Sequence, residues 1–133
     1  MNQEAAELWG RALQAFHTAQ QIAETDPDAA AGRAYYAAFY ARVRVLRPAG
    51  QTFSRHSALE IAISRDLVKA GHWSAELGKT CSFLLELRST GDYGGAIHVS
   101  REDAAKAVTG TRQILEAVSK SNPKQFPLPS DKV

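Results

Sequence analysis

The chain has 133 residues, 44% of them hydrophobic, and a formal net charge of +2. That length suits one domain around one core, and so small a charge does not by itself announce a nucleic-acid binder. A single cysteine, Cys81, rules out an internal disulfide, and no apolar run is long enough to span a bilayer, which excludes a disulfide scaffold and a membrane-spanning helix.

Five helices are expected in chain order. The first covers about Gln3 to Glu24, with Leu8, Ala12, Phe16 and Ala19 on one stripe. The second starts where Asp26 serves as N-cap and Pro27 takes the first helical position, where a missing N–H costs nothing. It runs to about Arg47, and Pro48 and Gly50 end it. It is apolar on more than one side, so it needs more than one packing partner, either as a central helix or by covering a dimer interface. The third starts with Ser54 as N-cap and ends before Gly71. The fourth covers about Ala75 to Ser89, with Gly91, Gly94 and Gly95 expected to stop it. Ser100 with Asp103 resembles a capping box and opens the fifth, which ends near Ser119. Short connections between long helices imply antiparallel neighbours and an up-and-down bundle. We take residues 1–120 as the bundle and residues 121–133, SNPKQFPLPSDKV, as a Pro-containing tail that is extended or flexible, with docking of Phe126 and Leu128 as the alternative. The polar start MNQEAAELWG is unlike a signal peptide, so the expected location is cytoplasmic.

Charge distribution is more informative than net charge. Between Asp28 and Glu60 there is no acidic residue, yet Arg33, Arg42, Arg44, Arg47 and Arg55 lie there, interleaved with Tyr35, Tyr36, Phe39 and Tyr40. Arginine beside aromatics suits phosphate neutralisation and base stacking. A solvated basic helix face is the plainer explanation of the same run.

Helix four puts Leu77, Cys81, Leu84 and Arg88 on one face, so Arg88 falls on the apolar stripe in its last turn. His56 falls likewise in the first turn of helix three, ahead of Leu59, Ile63 and Leu67. Periodicity with alternating helix directions therefore gathers His56, Arg88, Asp92, Tyr93, Tyr40 and Arg44 at one pole. Singly, each has a structural explanation: Arg88 pairing with Asp92, Tyr93 closing the bundle end, His56 satisfied in the core. Together they form a candidate site, because polar groups at a buried edge are costly unless paired. No metal site is expected, since His17, His56, His72 and His98 are scattered without ligand spacing. There is no glycine-rich phosphate loop and no serine-centred elbow.

The segments GRAYYAAFYARVRVL, SRHSALEIAI, VKAGHW and LGKTCSFLLELRSTGDYG, in that order, resemble the HEPN superfamily, and more narrowly its small stand-alone bacterial and archaeal members. The resemblance covers about residues 5 to 118 and rests on Arg33–Tyr36, on Arg55-His56-Ser57, and on Arg88 followed by Asp92-Tyr93. It implies a four-helix up-and-down core with one added helix, taken here to be the C-terminal one, and often a homodimer. It also implies an RNA or nucleotide ligand, no cofactor, and a small nucleotidyltransferase as toxin–antitoxin partner. The ribonuclease motif of such proteins is Arg, four to six residues, then His. Here the fifth residue after Arg88 is Tyr93, and His98 comes ten on, past Gly94 and Gly95. Whether the chain is an enzyme stays open on these residues. The favoured expectation is a binding module with weak or no catalysis, using Arg88, Asp92, Tyr93, His56, Arg55, Arg44, Tyr40, Arg33 and Tyr36. The alternative is a metal-independent ribonuclease in which Arg88 holds phosphate and His56 or Tyr93 moves the proton.

Overall fold

A computed structural model describes residues 3–45, 56–69 and 71–129, with backbone alone for residues 56–60. Among the described residues regular structure is entirely helical: α1 (Gln3–Ile22), α2 (Pro27–Phe39) continued by a π-helical segment (Tyr40–Val45), α3 (His56–Lys69), α4 (Ala75–Tyr93) and α5 (Arg101–Ser121). The helix starts follow their capping residues. Asp26 accepts from the Ala29 N–H at 3.2 Å ahead of Pro27, Ser74 accepts from Leu77, and Ser100 accepts from Asp103 at 3.0 Å. The expected caps and breakers at Pro48, Gly50 and Ser54 lie outside the described residues.

Helix α2 is central because of its alanines. Ala30, Ala31, Ala34, Ala37 and Ala38 are fully buried, as is Ala41 of the π segment, and such small side chains let α1, α4 and α5 all pack closely on it. The buried Thr111 hydroxyl donates to the Ala34 carbonyl at 3.0 Å, and Arg101 Nε to the Glu24 carbonyl at 2.9 Å, so α5 runs parallel to α2. Gly91 of α4 lies on the Asp28 backbone and Arg88 over Tyr35, so α4 runs antiparallel to α2. The up-and-down four-helix core is thus α1, α2, α4 and α5. The added helix is α3, set in the connection from α2 to α4, while the C-terminal α5 is a core member.

Three expectations change with this geometry. Because α3 packs beside the core, on the π segment and α4, α2 and α4 become antiparallel neighbours. The last turn of α4 therefore meets the first turn of α2, and Tyr40 and Arg44 lie toward the other end, away from Asp92 and Tyr93. Helix α4 also continues four residues past Ser89 to Tyr93, with the Gly94 N–H donating to Thr90 at 2.9 Å. Gly91 does not break the helix; a Cβ there would stand 2.8 Å from the Asp28 carbonyl oxygen, so glycine is what permits the close crossing. In the C-terminal segment Phe126 is buried, its ring centroid 5.6 Å from that of Trp9, whose indole N–H donates to the Pro127 carbonyl at 2.9 Å. Docking is therefore what Phe126 does.

Candidate functional site

Arg33 and Tyr36 of α2, then Tyr40 and Arg44 of the π segment that continues it, recur at intervals of three, four and four residues. The structure sets each against the next as a ladder. The Arg33 guanidinium lies 4.6 Å from the Tyr36 ring centroid, the Tyr36 and Tyr40 centroids are 4.5 Å apart, and the Arg44 guanidinium is 5.9 Å from the Tyr40 ring. Tyr36 donates its hydroxyl to that of Tyr40 at 2.8 Å. That bond, with partial burial, raises the Tyr36 pKa above its ordinary value, so the phenol stays protonated at neutral pH. The π segment carries the last rungs; insertions of this kind are frequent at functional sites.

Arg88 approaches the ladder from α4. Its guanidinium sits 5.4 Å above the Tyr35 ring, and Tyr35 stacks in turn on Phe39 at 5.9 Å. Its Nε donates to Asp92 Oδ2 at 3.0 Å, in an i,i+4 pair whose side chains are 39% and 42% exposed. Arg88 divides two hollows. One, of about 320 Å³, is lined by Tyr35, Tyr36, Tyr40, Arg44 and Leu85; the other, of about 420 Å³, by Ala29, Gly32, Arg33, Tyr36 and Asp92. They share Tyr35, Tyr36 and Arg88 and form one groove along α2. Among the described residues that line it, three guanidiniums face one carboxylate. The Arg44 Nε is buried and has no hydrogen-bond partner among the described residues. Such a groove can take an anion, because arginine binds phosphate oxygens in paired hydrogen bonds and is weakly hydrated.

The structure therefore sets six of the residues singled out from sequence along one groove, with Tyr40 and Arg44 toward one end, Arg33 and Asp92 toward the other, and Tyr36 and Arg88 shared between them. Tyr93 is not among them; it is 75% exposed and lines neither hollow. Arg55 and the side chain of His56 lie outside the described residues. Arg42, read from sequence as part of the basic face, turns inward: it is fully buried and donates from Nη1 to Ser64 Oγ of α3 at 2.9 Å. Sequence reasoning missed Tyr35 as the seat of Arg88. It also missed an α2 latch, in which Asp28 accepts from the Val99 N–H and from His98 Nδ1, each at 2.7 Å. Those two bonds hold the Asp28 carboxyl below its ordinary pKa, the backbone bond most of all. His98 is thus engaged by Asp28 and lines neither hollow. Among the described residues no cluster of His, Cys, Asp or Glu has the makings of a metal site, and no helix is long and apolar enough to cross a membrane.

Comparison with known proteins supports the resemblance read from the motifs. The HEPN domain family profile matches residues 5–121. This chain belongs to the HEPN domain family. A UPF0332 protein of Thermotoga maritima is 36% identical over 91 residues, covering 68% of this chain and 69% of that protein. A UPF0332 protein of Gloeobacter violaceus is 30% identical over 118 residues, covering 87% and 94%. In this HEPN chain the Arg-to-His spacing of a ribonuclease is not kept, since helix α4 closes with Arg88, Asp92 and Tyr93.

Proposed function

We propose that this HEPN protein binds RNA or a nucleotide through the α2–α4 groove, as a homodimer and as partner or toxin half of a nucleotidyltransferase pair, with weak or no cleavage. The observation that carries the binding role is Arg88, held over Tyr35 between two hollows that Arg33 and Arg44 also line. Weak cleavage follows from the chemistry of the same groups. Metal-free RNA hydrolysis needs a base for the 2′-hydroxyl and an acid for the leaving oxygen, each contributing about 10²–10⁴-fold. Arginine shuttles no protons at neutral pH, and the Tyr36 phenol is pushed away from the neutral range. The pairing with a nucleotidyltransferase rests on the family resemblance. The homodimer has further support in the exposed Tyr93 and Ile97, at 75% and 70%, which leave apolar surface at one end of the bundle.

The test is a paired assay on purified protein in EDTA. Labelled RNA should bind and stay intact, and binding should fall on Arg88→Ala. Brisk cleavage that His56→Ala abolishes would instead make the protein a ribonuclease. Light scattering that shows only monomer at micromolar concentration would remove the dimer.

A further inference from the structure

Every ring in the groove is already engaged. Tyr36 has the Arg33 guanidinium at 4.6 Å and the Tyr40 ring at 4.5 Å; Tyr40 has Tyr36 and Arg44; Tyr35 has Arg88 and Phe39. A base needs an open aromatic face to stack on, and each of these rings already has two such neighbours competing for it. The tyrosines act as seats that fix three cations in direction and spacing. What those cations offer outward is hydrogen-bond donors and charge, which suit phosphate oxygens.

Spacing sets the length of the ligand. Through the Tyr36 and Tyr40 rings, the Arg33 and Arg44 guanidiniums stand no more than about 15 Å apart. Arg88 meets the groove between them, against Tyr35. A stacked strand advances about 3.4 Å per nucleotide, so the three cations span no more than about five nucleotides. A mononucleotide reaches one or two of them.

We propose that the groove takes the phosphodiester backbone of a single strand, over no more than about five nucleotides, and reads phosphates without reading bases. This rests on the binding role proposed above and adds the ligand's length and the absence of base preference. Three phosphate contacts on a single strand give a slope of log K against log salt of about −2, at about −0.7 per contact.

The experiment is anisotropy with labelled U8, A8 and dT8, and competition by UTP, over a salt series, on wild type and on Arg33→Ala, Arg44→Ala and Arg88→Ala. Circular dichroism confirms that each variant is folded. The three octamers should bind within about threefold of one another, UTP at least tenfold more weakly, and each variant should flatten the slope by about 0.7. A8 exceeding U8 tenfold with a shallow slope would overturn the proposal in favour of base stacking. U8 exceeding dT8 tenfold would overturn it in favour of 2′-hydroxyl readout. UTP binding as tightly as U8 would leave the binding role standing and remove the strand. No binding of any probe would sink the binding role itself.

Discussion

Helix α4 has a groove on each side, and the two differ in how their charges are matched. The groove toward α5 is a single hollow of about 570 Å³, lined by Phe83, Thr80, Thr109 and Gly110 and flanked by Glu76, Lys79, Glu102 and Lys106. Its charges pair among themselves: Lys79 with Glu76 at 3.8 Å, Lys106 with Glu102 at 3.3 Å. The groove toward α2 is made of two hollows of about 320 and 420 Å³, each smaller than that, yet among the described residues Arg33, Arg44 and Arg88 share it with Asp92 alone. The volume of a single hollow therefore does not mark the candidate site. Cations held in place by rings, without enough carboxylates to answer them, do, because such an arrangement is costly unless it serves an anion.

The sharpest way to break the comparison is to remove one cation from each side. Arg88→Ala deletes charge-assisted bonds worth about 1.5–3 kcal/mol, so RNA affinity should fall about ten- to a hundredfold. Lys79→Ala or Lys106→Ala should leave it unchanged within twofold. Folding stability should hardly move in any of the three, since exposed ion pairs contribute about 0–1 kcal/mol. Anisotropy titration and urea unfolding on the same preparations read both. Equal losses on the two sides would mean that general surface charge binds RNA and the ladder is incidental.

Much of the fold and of the α2 side of this contrast was legible in the sequence, and the gaps have physical causes. Helix starts were readable because Asp26-Pro27 and Ser100–Asp103 act locally. The members of the ladder were readable as an arginine–aromatic run without acidic residues, while the order in which they touch was not, because Tyr40 and Arg44 lie on the π segment. Helix ends were less so: Gly91 is a weak helix former, and only its contact with Asp28 explains why the helix runs through it. Periodicity also tells which face of a helix is apolar, and not which neighbour covers it, so α3 was given a place in the core that α5 holds. Arg42 turns inward within the π segment, where the 3.6-residue period no longer applies. The bond from His98 to Asp28 spans 70 residues, beyond any local pattern.

Gly91 and Gly110 offer a smaller lever on the two grooves. A Cβ at Gly91 meets the Asp28 backbone oxygen at 2.8 Å, and one at Gly110 meets the Thr80 methyl at 2.7 Å. Backbone yields less readily than a side chain. Gly91→Ala should therefore cost about 1–3 kcal/mol by overpacking, and Gly110→Ala less, read by urea unfolding. Only Gly91→Ala should also weaken RNA binding, because it shifts Arg88 relative to Tyr35. A stable Gly91→Ala protein would show that the crossing of α4 on α2 is looser than described.

The Asp28 latch adds a pH signature at the α2 end. Its folded pKa is depressed by the Val99 N–H and by His98, so its contribution to stability is present above the unfolded value and is lost as pH falls through the folded one. Asp28→Asn should lower the melting temperature at pH 7. The gap to wild type should close as pH falls below about 4, where the unfolded carboxyl takes up its proton. A gap that persists unchanged at pH 2 would mean the loss comes from packing and not from the charge.

The smallest expected effect is also the most discriminating, because it has the opposite sign. Asp92 is the carboxylate that answers Arg88, and a phosphate reaching Arg88 must compete with it. The pair is exposed by 39% and 42%, so water and salt weaken it. Exposed pairs of this kind are worth about 0.2–1 kcal/mol. Asp92→Asn keeps the shape and removes the charge, so RNA affinity should rise up to about fivefold while Arg88→Ala lowers it. Stability should stay level, since a negative charge in the last turn of α4 opposes the helix dipole and its loss offsets the lost pair. The salt slope should steepen, because Arg88 then answers phosphate alone. If Asp92→Asn instead weakens binding, the carboxylate's role is to aim Arg88 into the groove, and the excess of cations over carboxylates is not what distinguishes the two sides of α4.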